Sequence, residues 1–166
     1  VSVKDLIESL GVPHTEVDFI LLNGESVDFS CKLKANDRLS VYPVFESMDI
    51  RSLLRVRPGP LRETKFVLDI HMGRLAAYLR MLGFDTEYQN NSTDDELARI
   101  SSQQARILLT RDRGLLKRSL VTHGYCIRTT NPRQQLVEVL HRFDLFGSLL
   151  PFSRCLHCNG LLQKVD

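Results

Sequence analysis

From Lys65 onward the chain alternates between short apolar runs and segments of helical hydrophobic period, and this alternation constrains its fold more than any other feature. Short apolar runs favour buried strands, whereas apolar positions spaced three and four apart favour helices. Strands are predicted over 66–68, 84–88, 106–110 and 125–128, and helices over 71–82, 93–102, 114–121 and 132–143. Because helices separate consecutive strands, the predicted fold class is α/β, a parallel sheet with helices on both faces.

The first part of the chain follows a different pattern. Ser2 and Asp5 are spaced as a capping box, which predicts a helix that ends at Gly11. Asn23-Gly24 is a strong hairpin signal between two strand-like runs. The predicted elements are a helix over 2–10 and strands over 17–22, 25–29 and 39–44. A helix followed by a hairpin and a further strand is part of a small β-grasp domain, and we interpret this domain as truncated at its N-terminus because two earlier strands are absent.

A Pro-Gly-Pro sequence among scattered charges separates these two patterns. We therefore predict a first domain over 1–57, a linker over 58–64, a second domain over 65–150 and a C-terminal segment over 151–166. No apolar run approaches the roughly 18 residues of a membrane span. Cys31 and Cys126 stand alone in apolar runs, where buried thiols are expected, so the cysteines predict a reducing, cytoplasmic compartment.

Acidic residues follow three of the predicted strands. Asp69 follows the first strand, Asp94 and Asp95 come after the second, and Asp112 follows the third. Because the carboxyl ends of parallel strands meet at one edge, these carboxylates are expected to lie together, and a divalent cation would remove their repulsion. Hard oxygen ligands suit Mg²⁺ or Mn²⁺, which can activate water for attack on a phosphodiester. All four are predicted catalytic residues, with Asp69, Asp94 and Asp112 as metal ligands.

A structural alternative exists for each of these acids. Aspartate is a favoured N-cap, and each of them begins a helix or immediately precedes one, so capping explains any one of them alone. Three such positions on one edge favour metal binding. Asp85, inside the second predicted strand, is either a fourth ligand or, as we expect, a surface residue.

Polar and basic residues around Asp112 extend the predicted site. Thr110 is expected to hydrogen-bond a ligand carboxylate and to hold it in one rotamer. Arg111 and Arg113 flank the acid and are candidates for phosphate contacts, although solvated surface charge also explains them. Arg74 and Lys117, early in their predicted helices, are further candidates. Residues 61–166 contain 15 Lys and Arg against 11 Asp and Glu, which is compatible with RNA as a partner.

Four stretches of the second half resemble the Mut-seven C-terminal RNase family, a PIN-like group. They are Phe66–Thr86, Asp94–Leu97, Leu108–Leu116 and Pro151–Gly160. The resemblance implies a PIN-like ribonuclease domain in which Asp69, Asp112 and at least one of Asp94 and Asp95 are the catalytic acids.

The last of these stretches resembles the beginning of a zinc ribbon, which needs four ligands. Cys155 and Cys158 supply half of them, so Zn²⁺ is expected in the full-length protein, and the tail is expected to be loose without it. Residues 1–57 resemble a ubiquitin-related domain and small sulfur-carrier proteins, notably at Asn36–Pro43. The chain continues through Val44–Glu46 instead of ending in Gly-Gly, so docking to a protein partner is expected of this domain rather than conjugation.

The sequence therefore predicts a metal-dependent ribonuclease that hydrolyses RNA phosphodiester bonds with Mg²⁺ or Mn²⁺. A second hypothesis is a non-catalytic RNA- or ribosome-associated binding module with the same acidic edge. A third is a receiver-like phosphoacceptor domain, which also gathers acids, a Thr and a Lys at the edge of a sheet. The third fits less well, because Thr110 precedes the acid within the same motif.

Overall fold

The structure is a computed structural model that describes residues 1–43 and 64–163. The chain divides into two compact units, Val1–Arg62 and Glu63–Asp166, and each is described by itself. Residues 44–57 and the predicted linker over 58–64, apart from Thr64, lie outside the described residues. None of the described helices is long and apolar enough to cross a membrane.

Within residues 1–43, the first unit contains a three-stranded antiparallel sheet and one α-helix. Its elements are α1 (Val3–Ser9), a 3-10 turn (His14–Glu16), β1 (Val17–Leu22), β2 (Glu25–Ser26) and β3 (Leu39–Pro43). The strand order is β2-β1-β3, with β1 paired to both neighbours. The capping box is confirmed, because Ser2 Oγ accepts from the N–H of Asp5 and the Asp5 carboxylate accepts from the N–H of Ser2. The core consists of Val3, Ile7, Val17 and Ile20.

Two expectations for this unit were wrong. The return strand predicted over 25–29 ends at Ser26, because the Asp28 carboxylate accepts hydrogen bonds from the N–H (2.8 Å) and the hydroxyl (2.6 Å) of Ser30 and turns the chain. Cys31, expected to be buried, is only half-buried.

The second unit contains a parallel sheet of four strands within residues 64–163, which confirms the predicted fold class. Its elements are β4 (Lys65–Leu68), α2 (Gly73–Met81), β5 (Asp85–Glu87), α3 (Asp94–Gln103), β6 (Ile107–Thr110), α4 (Arg113–Leu116), β7 (Gly124–Cys126) and α5 (Pro132–Arg142), with 3-10 turns at Ile70–Met72 and Phe146–Ser148. The strand order is β5-β4-β6-β7. The chain therefore leaves β4 toward one side and returns to the other side as β6, so the carboxyl ends of these two strands flank the switch point of the sheet.

Helices cover both faces of this sheet, because side chains alternate along each strand. One face packs on α3 and α4 in a cluster of Val67, Leu97, Ala98, Leu108, Leu115, Leu116, Val121 and Cys126. On the other face, Phe66 and Tyr125 each contact the ring of Phe143, at the end of α5, edge to face. Phe66 and Val67 point to opposite faces of the sheet, so β4 contributes a buried side chain to the core on each side.

Helix starts agree with the sequence better than helix lengths do. The Thr93–Glu96 capping box and the Asn131 cap before Pro132 are both present. The helix predicted over 114–121 is shorter, since α4 ends at Leu116 and Val121 N–H donates to the Arg118 carbonyl in a separate turn. The helix predicted from residue 71 begins with a 3-10 turn and becomes α-helical at Gly73.

The C-terminal segment is not loose. Leu150 N–H donates to the Leu82 carbonyl (2.9 Å), and Phe152 N–H donates to the Met81 carbonyl (2.8 Å), so the segment is bonded to the end of α2. The Arg154 guanidinium also donates to the Gly83 carbonyl at 3.2 Å. The expectation of a loose tail was wrong because these contacts come from backbone carbonyls far away in the sequence.

Candidate functional site

Asp69 and Asp112 meet at one buried hydroxyl. Asp69 follows β4 and Asp112 follows β6, and these strands are adjacent in the sheet. Thr110, the last residue of β6, is fully buried; its Oγ1 donates to Asp69 Oδ2 at 2.7 Å and accepts from the N–H of Asp112 at 2.9 Å. Thr110 thus contacts a carboxylate, as expected, and it fixes the side chain of Asp69 beside the backbone of Asp112.

The carboxylates of Asp69 and Asp112 receive only neutral donors from the described residues. Asp112 Oδ1 accepts from the N–H of Gly114 at 2.7 Å, so this acid does cap α4, as the structural alternative proposed. Asp69 Oδ1 and Asp112 Oδ2 have no hydrogen-bond partner within residues 1–43 and 64–163, and no Lys or Arg there pairs with either acid. Two negative charges therefore lie at the switch point without a counter-charge from those residues.

Asp94 and Asp95 are placed differently. They occupy the exposed first turn of α3, where the Arg118 guanidinium lies 3.7 Å from Asp94 Oδ2 and pairs more closely with Asp95 Oδ1. Across the described parts of the chain, no three His, Cys, Asp or Glu side chains are grouped so that they could hold a metal ion. The structure thus brings Asp69 and Asp112 to one hydroxyl and gives Asp94 and Asp95 a basic partner.

Asp85 is neither a rim ligand nor a surface residue. It begins β5, at the end of the sheet opposite to the acids above, and its Oδ1 accepts from Arg106 Nη1 at 2.6 Å and from Asn159 Nδ2 at 2.8 Å. Arg154 lies 3.8 Å from Oδ2. Burial raises the pKa of Asp85, but the hydrogen bonds from Arg106 and Asn159 and the charges of both arginines outweigh it and hold the pKa below its ordinary value. The expectation of a surface residue was wrong.

Comparison with known families agrees with this architecture. Residues 64–166 match the Mut7-C RNAse domain. The chain belongs to the Mut7-C RNAse domain family. Residues 1–49 match the Mut7-C ubiquitin family, which agrees with the antiparallel sheet of the first unit. Neither a search of curated proteins nor a search of solved structures gave a match. The second unit is thus an RNase-type domain with a nuclease-like function.

Basic side chains of this Mut7-C domain lie near its acids in sequence. Arg111 and Arg113, on either side of Asp112, are exposed, as is Arg74 in the first turn of α2. Lys117 is half-buried at the end of α4. The three exposed arginines are accessible to a ligand at the carboxyl edge of the sheet.

Three residues of the Mut7-C domain escaped the sequence analysis. The Tyr88 hydroxyl donates to the carbonyl of Ile70, the residue after Asp69, at 2.8 Å. A Cβ at Gly73 would lie 2.8 Å from that hydroxyl, so any other residue there would force the Tyr88 ring to shift. No local sequence pattern predicts either contact. The burial of Arg80 is predictable, because this residue follows Ala76 by four and therefore lies on the buried face of α2.

The two cysteines of the C-terminal segment form a knuckle. Cys155 N–H donates to the Gly160 carbonyl at 2.8 Å, and Asn159 N–H donates back to the Cys155 carbonyl at 3.0 Å. The backbone N–H of Cys158, followed by that of His157, lowers the pKa of the Cys155 thiol. A thiolate held by backbone donors is what a thiophilic metal needs, so this pair fits half of a zinc site.

Proposed function

We propose that this chain is a divalent-metal-dependent ribonuclease that hydrolyses RNA phosphodiester bonds at the carboxyl ends of β4 and β6. The observation that carries the proposal is that the Asp69 carboxylate and the backbone N–H of Asp112 both bond Thr110 Oγ1, while neither acid has a basic partner among the described residues. Membership of an RNase domain family supplies the reaction class. The switch point of an open parallel sheet is also where such folds bind their ligands.

The donor set fits Mg²⁺ or Mn²⁺. Each of the two carboxylates uses one oxygen in a hydrogen bond and keeps the other available, and magnesium sites commonly use one or two carboxylates together with water and substrate phosphates. Such an ion, when bound, would activate a water molecule and neutralise charge on the phosphodiester. Thr110 and the N–H of Gly114 each orient one of the two carboxylates through a hydrogen bond, which favours metal binding.

The exposed arginines bind the RNA backbone. Arg111 and Arg113 extend from either side of Asp112, and a guanidinium forms paired hydrogen bonds with phosphate oxygens. Arg74 offers the same group from the start of α2. Their role is to place the scissile phosphate against the two carboxylates, which would otherwise repel it.

Asp94 is the proposed third ligand, and Asp95 its neighbour. Recruiting Asp94 requires its ion pair with Arg118 to open, and an exposed pair of this kind is worth only about 0–1 kcal/mol. The approach of a divalent ion can therefore displace the guanidinium. Asp94→Asn should lower cleavage more than Asp95→Asn does; an Asp94→Asn variant that cleaves at the wild-type rate would remove Asp94 from the site.

The decisive experiment measures cleavage of a 5′-labelled RNA by the full chain with Mn²⁺, with Mg²⁺ and with EDTA. We expect cleavage with either metal, none with EDTA, and none by Asp112→Asn with metal present. Cleavage that persists in EDTA would falsify the metal mechanism. RNA binding without cleavage under every condition would instead support a non-catalytic RNA-binding module.

Cys155 and Cys158 are proposed to supply half of a zinc site. The knuckle geometry and the lowered pKa of the Cys155 thiol support this assignment. Both cysteines belong to the C-terminal segment, so a metal bound there would serve the fold of the tail.

A further inference from the structure

A pocket of about 450 Å³ lies between α2, the segment that follows β5 and the cysteine knuckle. It is lined by Gly73 and Arg80 of α2, by residues 88–91, and by Leu156 and His157 of the knuckle. Its volume falls within the range of small-ligand sites, roughly 300–1,000 Å³. The docked tail forms one of its walls.

Arg80 places a buried positive charge in the wall of this pocket. Only 5% of the residue is exposed. Its Nε donates to the Thr86 carbonyl at 2.9 Å, and its Nη1 donates to the carbonyls of Leu156 (3.0 Å) and His157 (2.8 Å). All these acceptors are neutral, and no carboxylate of the described residues pairs with the guanidinium. Arg80 lines the pocket, so its positive charge attracts an anionic group there.

Three consecutive amide side chains line the same pocket. Gln89, Asn90 and Asn91 are exposed. The side-chain amides of Asn90 and Asn91 make no hydrogen bond to a described residue. Each amide offers two donors and an acceptor, which is the combination that recognises the edge of an unpaired nucleic-acid base. A base edge would use both the donors and the acceptor of such an amide, whereas a phosphate would use only the donors.

The pocket adjoins the proposed cleavage site. Tyr88 lines it and donates to the carbonyl of Ile70, which directly follows Asp69. Gly73 lines it as well and lies against the Tyr88 hydroxyl. A polymer bound at Asp69 could therefore extend into this pocket.

We infer that the pocket binds one nucleotide of single-stranded RNA beside the bond that is cleaved, with its phosphate facing Arg80 and its base against Asn90 and Asn91. The inference rests on the proposed ribonuclease function. Single-stranded RNA is the ligand because the base edges that the amides recognise are occupied in a duplex.

The test is fluorescence anisotropy of labelled 12-nucleotide single-stranded RNA with the full chain without added Mg²⁺ or Mn²⁺, where the proposed chemistry is off. An Asn90→Ala, Asn91→Ala double variant should weaken binding about tenfold, as expected for the loss of one or two hydrogen bonds. Gln103→Ala, an exposed amide at the end of α3, is the matched control and should bind like the wild type. Unchanged binding by the double variant would overturn the base assignment.

Competition tests the phosphate separately. Uridine 5′-monophosphate should displace the labelled RNA at lower concentration than uridine does, and equal competition would overturn the pairing of a phosphate with Arg80.

Cleavage with Mn²⁺ then separates this inference from the proposed function. Wild-type protein that binds RNA through Asn90 and Asn91 but never cleaves it refutes the ribonuclease and retains the subsite. If the wild-type protein cleaves RNA and the double variant keeps its affinity and nucleotide preference, the subsite alone is refuted.

Discussion

The two ends of the parallel sheet treat their aspartates in opposite ways. At the beginning of β5, Asp85 accepts from a guanidinium and an amide, and a second guanidinium lies 3.8 Å away. At the carboxyl ends of β4 and β6, the carboxylates of Asp69 and Asp112 accept, within the part of the chain that the structure describes, only from a hydroxyl and a backbone N–H. The first carboxylate is neutralised by the protein, whereas the other two keep their charge available for a ligand.

This difference separates stability from activity. Removing a neutralised, partly buried carboxylate leaves its arginine partners without a counter-charge, so the fold loses free energy. Removing a carboxylate with neutral partners costs the fold little but removes a ligand for a cation. The four predictions below test this separation.

The largest expected effect is on cleavage by Asp69→Asn and Asp112→Asn. Each should lower the initial rate of Mn²⁺-dependent RNA cleavage by more than about 100-fold, because loss of a metal ligand should exceed the 10–100-fold cost of losing one of its outer partners. Urea unfolding of Asp112→Asn should change little, since asparagine caps a helix as well as aspartate does.

Asp85→Asn is the control for this first prediction. It should cleave RNA at close to the wild-type rate at temperatures where it is folded. A rate as low as that of Asp69→Asn would break the comparison between the two ends of the sheet.

Thr110→Val should weaken the apparent Mn²⁺ affinity by about 10–100-fold, because it removes the hydroxyl that positions Asp69 and accepts from Asp112. Titrating cleavage with Mn²⁺ measures this affinity. Thr110→Ser keeps the hydroxyl and should retain most of it. If Val and Ser behave alike, the hydroxyl does not position the ligand.

Asp85→Asn should lower the free energy of unfolding by about 2 kcal/mol, because hydrogen bonds to charged groups are lost and Arg106 keeps a partly buried charge. Urea denaturation at neutral pH measures the change. Asp95→Asn, whose exposed pair with Arg118 is worth far less, is the matched control. An equal effect of both substitutions would show that Asp85 is no more than a surface charge.

The smallest effect concerns acid pH. Because the folded-state pKa of Asp85 is lowered, its stabilisation is fully present above the unfolded-state pKa, about 4, and is lost as the pH falls through the folded-state value. The difference in unfolding free energy between wild type and Asp85→Asn should therefore shrink from pH 7 to pH 3. A difference that is constant over this range would mean that Asp85 does not titrate with folding.

Much of the fold was predictable because its signals are local. The change from helical to strand period located every strand of the parallel sheet, and the Thr93–Glu96 box and Asn131-Pro132 marked two helix starts. Element ends were less predictable, as β2 and α4 show, because side-chain turns and packing end them. In the candidate site, the sequence placed Asp69, Thr110 and Asp112 at the ends of their strands.

The sequence by itself determined where the acids and cysteines stand along the strands and loops, since that depends on hydrophobic period and helix capping within a few residues. Only the tertiary structure decided which acids are neutralised. Arg118 reaches Asp95, and Arg106, Arg154 and Asn159 reach Asp85, each across 20 residues or more of sequence. Such pairings depend on the packing of distant segments and carry no local pattern, so the charge left for a ligand at Asp69 and Asp112 emerges only in the folded chain.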